Sequence, residues 1–250
     1  MKAMVLAAGL GTRLRPLTND RPKALVELAG RTLLEITVRR LKSFGVNEVI
    51  VNTHHFAERI EDFLRAHENL GMRLEISREP ELLDTGGGLK KAAWFFLEEP
   101  GAPFIVHNVD VLSTIDLHGM VEFHQAKAAL ATLAVQSRAT ARPLLFDRQG
   151  QLRGRGAGPD VKAGAEPAEQ PSGVEPLAFA GIHVISPRIF ALLPEEGPFS
   201  IIDAYIRLAA QHEKVLAFRA DSAYWRDLGR PAHIEQAVAD MASGAYPSQN

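Results

Sequence analysis

An α/β fold, built on a mostly parallel sheet with helices on both faces, is what this sequence predicts. Three features of its 250 residues carry the prediction. Short apolar runs alternate with helical patterns over residues 1–135, the connections between them are brief, and the first run opens straight into a glycine-rich loop. No internal repeat or second apolar core stands out, so a single domain is the simplest partition.

The elements follow in order. Ala3–Ala7 is a small apolar run that leads into glycines, the pattern of a buried parallel strand. Leu33–Phe44 is a helix, with Leu33, Leu34, Ile36, Val38 and Leu41 broadly on one side and Gly45 as its stop. Glu48–Asn52 is the next strand, and His55–His67 is an amphipathic helix that turns Phe56, Ile60, Phe63 and Leu64 inward. Then come a strand at Arg73–Ser77, a helix at Leu89–Leu97, a strand at Pro103–His107, a helix at Leu117–Lys127 and a strand at Leu130–Val135. Strands separated by such helices imply right-handed crossovers.

The pattern changes after Gln136. Leu144–Phe146 and Gln151–Arg153 flank Asp147-Arg148-Gln149-Gly150 as a hairpin. Gly154–Pro176, rich in Gly, Pro, Ala and Glu, has no apolar period and is expected to be a mobile surface loop. Leu177–Ile185 is a strand, Ile201–Gln211 a helix and Val215–Phe218 a strand. Pro231–Met241 is a closing helix with proline at its start, and Ser243–Asn250 is expected to fray.

Hydrophobic residues make up 46% of the chain and charged residues 23%, enough to cover a substantial core with a soluble surface. The net charge of −2 lacks the basic excess of a nucleic-acid binder, so an anionic ligand must be held by a local cluster. The absence of cysteine removes disulfides, thiolate metal sites and thiol nucleophiles together. The apolar run at Met1–Ala8 is too short for a signal sequence, and no stretch approaches the roughly 18 apolar residues of a membrane span. A cytoplasmic protein without membrane or nucleic-acid partners is expected. The nine histidines show no metal spacing; His54, His55 and His124 read as polar surface or helix-face residues, and Trp94-Phe95-Phe96 as core.

The most informative segment runs Leu6-Ala7-Ala8-Gly9-Leu10-Gly11-Thr12-Arg13-Leu14-Arg15-Pro16-Leu17-Thr18 and on to Arg21-Pro22-Lys23-Ala24-Leu25. A dinucleotide-binding turn would need a third glycine at Leu14 and an immediate helix, which Pro16 blocks. A P-loop would need Gly-Lys-Ser/Thr, and Gly11 is followed by Thr12-Arg13. The third anion-binding reading is a loop whose backbone N–H groups wrap a triphosphate, and it stands beside the bland one of a mobile surface loop with two solvated cations. Gly9 and Gly11 allow close approach, Thr12 adds a hydroxyl, Arg13 a planar fork of donors and Lys23 a compact charge.

This spacing, with Arg21-Pro22-Lys23-Ala24-Leu25-Val26 behind it, resembles the signature of the sugar-phosphate nucleotidyltransferase family, in its short members without a C-terminal hexapeptide-repeat extension. The resemblance implies a Rossmann-like fold of the nucleotide-diphospho-sugar transferase type. It implies transfer of a nucleoside monophosphate from a nucleoside triphosphate, UTP or GTP first, to a sugar 1-phosphate, with Mg²⁺ as cofactor. Ala8, Gly9, Gly11 and Thr12 would then hold the triphosphate, and Arg13 and Lys23 would act on its phosphates. Residues 1–135 would form the nucleotide-binding part. Residues 136–242 would bind the acceptor and complete the metal site.

Further segments extend the likeness. Asp110 follows an apolar strand, at the carboxyl end where parallel sheets bind ligands, and matches the family's metal aspartate. The family's Gly-Asp pair is Val109-Asp110 here, preceded by Asn108 at the acceptor side. Trp225-Arg226-Asp227-Leu228-Gly229 resembles the family's Trp-x-Asp-x-Gly segment, which makes Asp227 the second metal ligand. Two carboxylates without a Cys or His cluster suit an oxygen-preferring ion. Thr85, Gly86 and Gly87, in a glycine run at a helix entrance, match the segment that lies against the nucleobase. Phe179 and Gly181 match the strand that lines the sugar pocket. A nucleotide-sugar glycosyltransferase and a non-catalytic nucleotide- or sugar-binding subunit are the alternatives, and both lack a need for Arg13, Lys23, Asp110 and Asp227 together.

Overall fold

The computed structural model describes residues 1–156 and 173–246. Its strands are β1 (Lys2–Leu6), β2 (Glu27–Leu28), β3 (Arg31–Thr32), β4 (Glu48–Thr53), β5 (Arg73–Arg78), β6 (Phe104–Asn108) and β7 (Val111–Ser113), then β8 (Ala131–Gln136), β9 (Leu144–Asp147), β10 (Leu152–Arg155), β11 (Val174–Ile185), β12 (Val215–Arg219) and β13 (Trp225–Asp227). The helices are α1 (Leu33–Ser43), α2 (Ala57–Ala66), α3 (Asp84–Lys91), α4 (Ala93–Leu97), α5 (Leu117–Lys127), α6 (Ile201–Ala210) and α7 (Pro231–Ala242).

Local chemistry accounts for several boundaries. The Thr32 hydroxyl accepts from the Glu35 N–H at 3.1 Å and caps α1, a contact worth about 1 kcal/mol. The Asp116 carboxylate caps α5 through the Gly119 N–H at 3.1 Å. The helix expected from His55 begins only at Ala57, because Phe56 sits in the left-handed region at φ 57°. The helix expected over Leu89–Leu97 is two helices broken at Ala92, and the first begins earlier, at Asp84.

The main sheet runs β10-β9-β11-β6-β1-β4-β5, with β8 also on β11 and β12 on β8. β1 pairs in parallel with both β4 and β6, β4 with β5, and β8 with β12. β11 instead runs antiparallel to β6, β8 and β9, so the sheet is parallel in its first half and mixed in its second. The chain leaves β1 for β4 and β5 on one side and returns to β6 on the other. That reversal opens a crevice at the carboxyl ends of β1 and β6, where open α/β sheets bind ligands.

The core lies on both faces, as the alternation along β1 dictates. Ala3 and Val5 join one fully buried cluster with Leu34, Val38, Val51 and Ile105; Met4 joins the other with Ile50, Phe95, Phe96, Phe104 and Val106. Trp94, expected in the core, is half exposed, while Phe95 and Phe96 are buried. His124 is likewise buried rather than on a surface, and hydrogen-bonded to Thr132 and Ser186.

Of the loop expected over Gly154–Pro176, residues 157–172 lie outside the described residues. Its flanks are strand. Arg155 pairs with Leu144, and Val174, Glu175 and Pro176 pair with Asp147, Phe146 and Leu145, so β9 offers partners that outweigh the weak strand propensity of these residues. Tyr246, expected in a fraying tail, is 2% exposed against the Tyr224 ring at 5.2 Å; residues 247–250 lie outside the described residues. Among the described residues, no helix is long and apolar enough to cross a membrane.

Candidate active site

The glycine-rich loop starts where β1 ends, at the crevice. Its first residue, Ala7, donates its N–H to Asn52 Oδ1 at 2.7 Å. Gly11 takes φ +64°, and a Cβ there would stand 3.1 Å from Thr18 Cγ2 and 3.2 Å from Lys23 Cβ, so glycine is required for both reasons. Thr18 Oγ1 donates to the Gly11 carbonyl at 2.8 Å and closes the loop. A short 3₁₀ turn, Thr12–Leu14, follows and buries Leu14 while leaving Arg13 exposed. The N–H groups from Ala8 to Arg13 find no acceptor among the described residues, and the space above Gly9 is open. Such a row of unused donors is an anion-binding surface.

Asp110 and Asp227 lie 117 positions apart in the chain, and a small ladder joins them. β7 and β13 pair antiparallel, with Val111 opposite Asp227, and the Leu228 N–H donates to the Asp110 carbonyl at 2.8 Å. A Cβ on Gly229 would stand 2.7 Å from Asp227 Oδ1, 3.4 Å from an Arg13 guanidinium nitrogen and 3.6 Å from Asp110 Oδ2. The three side chains therefore converge on one glycine. Lys23 pairs with Asp110 through Nζ and Oδ2, and both side chains are largely buried. Asp227 Oδ1 accepts from the Gly229 N–H at 2.8 Å. Val109, where a glycine was the family pattern, is 2% exposed in the core and is not among the positive-φ residues, so this backbone needs no glycine.

The donor set fits a hard divalent cation. Two carboxylates face one point, and the Lys23 ammonium already holds positive charge against one of them. No group of three or more His, Asp or Glu residues that could enclose a metal occurs among the described residues. Mg²⁺ asks for no such cage, since it takes the rest of its shell from phosphates and water.

Beside the carboxylates lies a cavity of about 980 Å³. Arg13, Asn108, Phe179, Gly181 and Asp227 all line it, so the structure brings the expected acceptor residues to Asp227. Gly181 takes φ +75° at the irregularity in β11, and a Cβ there would press on Asn108 at 2.8 Å. Arg138, which sequence patterns did not mark, also lines the wall. Its guanidinium lies 3.5 Å from the centre of the Trp225 ring and donates to the Phe179 carbonyl at 2.9 Å. Burial pulls its pKa down, partly offset by Asp227. Trp225 in turn donates its indole N–H to the Ala180 carbonyl at 2.8 Å. Arg142, Arg155, Arg230 and His233 were missed as well. The usable signal was position, since Arg138 stands two residues past Gln136, the carboxyl end of β8.

The glycine run differs from expectation. Gly86 and Gly87 lie inside α3 and are buried. Their N–H groups are not free: both donate to the Phe199 carbonyl, at 2.8 and 3.4 Å. The Thr85 hydroxyl accepts from the Ile201 N–H at 3.1 Å. A Cβ on Gly86 would stand 2.2 Å from the Phe199 ring, and one on Gly87 2.4 Å from the Gly197 carbonyl oxygen. In this structure the run serves close packing of α3 against the chain's own 197–200 segment. It is tied to the glycine-rich loop through two buried side chains: Asn52, which holds Ala7, donates to Glu79 Oε1 at 2.7 Å, and Glu79 Oε2 accepts from the Leu83 N–H at 3.0 Å.

Comparison with known proteins places this geometry. The family model described as Nucleotidyl transferase matches residues 2–244. An N-acetylmuramate alpha-1-phosphate uridylyltransferase from Caulobacter vibrioides is 37% identical over 249 residues, covering 96% of each chain. A mannose-1-phosphate guanylyltransferase from Mycobacterium tuberculosis is 30% identical over 98% of this chain, which spans 66% of that protein's length. A solved structure of UDP-glucose pyrophosphorylase from Acinetobacter baumannii superposes with a TM-score of 0.76 at 22% identity, over 99% of this chain and 94% of that one, a likeness of fold.

Proposed function

This chain belongs to the nucleotidyl transferase family, and on that premise we propose that it moves a nucleoside monophosphate from UTP or GTP onto a sugar 1-phosphate, releasing pyrophosphate and forming a nucleoside diphosphate sugar. The observation that carries the proposal is the convergence of Arg13, Asp110 and Asp227 on Gly229, with Arg13 and Asp227 also lining the cavity. A glycosyltransferase has no use for a triphosphate loop with Arg13 and Lys23 beside it, and a sensing subunit has no use for the whole set.

In this reading the unused N–H groups of Ala8 to Arg13, with the Thr12 hydroxyl, receive the triphosphate. Asn108, Phe179 and Gly181 seat the sugar so that its phosphate faces Asp227. An oxygen of that phosphate attacks the α-phosphorus in line, the bond to the bridging oxygen breaks, and pyrophosphate leaves. The attacking oxygen is already anionic, so no general base is needed, and the work is positioning and charge neutralisation. Arg13 meets the charge that grows on the leaving pyrophosphate. Lys23 serves both Asp110 and the phosphates. Asp110 and Asp227 would hold Mg²⁺, which when bound neutralises phosphate charge as a Lewis acid. The nucleobase role of Thr85, Gly86 and Gly87 rests on the family resemblance alone.

The test is a pyrophosphate-release assay across the four nucleoside triphosphates and a panel of sugar 1-phosphates. Mannose 1-phosphate and N-acetylmuramate 1-phosphate, the acceptors in the relatives' names, come first, with choline phosphate as a non-sugar control. Release with UTP or GTP that depends on a sugar 1-phosphate is the expected result. Pyrophosphate release with no sugar phosphate tested, or release of a nucleoside diphosphate from a preformed nucleotide sugar, would refute the proposal.

A further inference from the structure

Charge in the cavity is out of proportion to a neutral acceptor. Arg13, Arg138, Arg142, Arg155 and Arg230 line it, and Asp227 is the one carboxylate lining it among the described residues, in a chain whose net charge is −2. The excess is therefore local. Arg13 and Arg230 belong to the Asp227 end: Arg13 reaches Gly229, and Arg230 directly follows it. Arg138, Arg142 and Arg155 come from other segments. Arg155 pairs in register with Leu144, and the Gly156 N–H donates to the Pro143 carbonyl at 2.9 Å, which sets the Arg142 and Arg155 backbones side by side.

Their partners show which guanidinium groups are spare. Arg138 is fixed on Trp225 and Phe179. Arg155 pairs with Asp203 at 2.8 Å, but both side chains are exposed and water screens such a pair. The Arg142 guanidinium has no partner among the described residues. Guanidinium groups only donate, whereas sugar hydroxyls ask for donors and acceptors alike. A neutral sugar would strip water from these cations and return no charge. The acceptor's own phosphate cannot serve them, because it must lie at the Asp227 end where transfer occurs.

We propose that Arg142, flanked by Arg155, receives a second anionic group of the acceptor, a carboxylate, and that the preferred acceptor is an acidic sugar 1-phosphate. A carboxylate takes the guanidinium fork in two parallel hydrogen bonds, geometry that no hydroxyl reproduces. This inference rests on the sugar-phosphate transfer proposed above.

The experiment compares kcat/KM for neutral sugar 1-phosphates (glucose, mannose, N-acetylglucosamine) with acidic ones (glucuronic acid, N-acetylmuramate), and with glucose 1,6-bisphosphate as a phosphate-bearing alternative. The carboxylates should exceed their neutral counterparts by roughly tenfold or more, the scale of one charge-assisted contact. Arg142→Gln should bring the ratio towards one, and Arg142→Lys should restore part of it, without changing KM for the nucleoside triphosphate. Equal or better use of neutral sugars, preference for the bisphosphate, or a rise in KM for the triphosphate would overturn the assignment. Thermal-shift titration with N-acetylmuramate 1-phosphate alone separates the two proposals. Stabilisation that Arg142→Gln abolishes supports the carboxylate site even if no transfer occurs, and absence of any shift in the wild type overturns it.

Discussion

Lys23 and Asp110, 87 positions apart, meet as a largely buried ion pair beside Gly11 of the glycine-rich loop. Lys23 opens a short 3₁₀ turn that buries Ala24, so the backbone that carries the ammonium is anchored in the core. Asp110 is held by its own carbonyl, which accepts from Leu228 and so fixes it to the strand of Asp227. The pair sets a positive charge directly against the Asp110 carboxylate.

Asp110→Asn and Asp227→Asn should each lower turnover by orders of magnitude, because each removes a negative oxygen from the proposed Mg²⁺ site. The folded structure should survive both, since the β7–β13 ladder uses backbone groups that neither change touches. Pyrophosphate release, measured against Mg²⁺ concentration and after EDTA treatment, checks this. Wild-type rates in either variant would end the assignment.

Arg13→Ala should reduce kcat by roughly 10²-fold, the usual cost of losing a donor that faces developing charge. The KM for the triphosphate should rise less, because the loop N–H groups remain. Arg13 is exposed, and no ion pair holds it among the described residues, so the urea midpoint should stay where it is. A large KM effect with unchanged kcat would make Arg13 a simple binding residue.

Gly87→Ala should destabilise the fold by about 1–3 kcal/mol, the cost of overpacking. The added methyl group would stand 2.4 Å from a backbone carbonyl oxygen, which cannot rotate away as a flexible side chain would. Urea unfolding reads it directly, and an unchanged midpoint would mean that α3 and the 197–200 segment are looser than described.

These same glycines show where sequence stops being sufficient. The parallel half of the sheet was legible because Ala3, Met4 and Val5 are buried on both faces and the α1 stripe keeps its period. The loop was legible because Gly11 combines a positive φ with two close neighbours. The glycine run is expected at a helix entrance, but nothing local tells that Phe199, over a hundred residues away, takes the N–H groups of Gly86 and Gly87. β7 and β13 are three residues each, too short for a periodic signal, yet their pairing and the adjoining Leu228-to-Asp110 hydrogen bond bring Asp110 to Asp227. Arg138 and Arg142 carry no motif; on a loop, arginine reads as solvated until the cavity wall is seen.

Acid should destabilise the protein through three buried histidines. Burial holds His124 neutral, with its pKa drawn down to about 4, and draws His107 and His183 down to about 3. In the unfolded chain each titrates near 6.5, so below that pH the unfolded state binds more protons and gains stability relative to the fold. Each histidine should contribute a slope of up to about 1.4 kcal/mol per pH unit, from about pH 6.5 down to its folded value. Urea midpoints at pH 7.5, 6 and 5 should fall in that order, and His124→Asn should make the decline shallower. A flat profile would contradict the burial of these rings.

Direct transfer from the triphosphate to the sugar phosphate is the central claim, and stereochemistry at phosphorus tests it most directly. A nucleoside 5′-O-(1-thiotriphosphate) of known configuration should be turned over with the preferred sugar 1-phosphate, and the configuration of the thio-sugar nucleotide determined by ³¹P NMR. One in-line displacement within the Arg13, Asp110 and Asp227 cluster predicts inversion. Net retention would require two displacements through a nucleotidyl-enzyme, and would contradict the account.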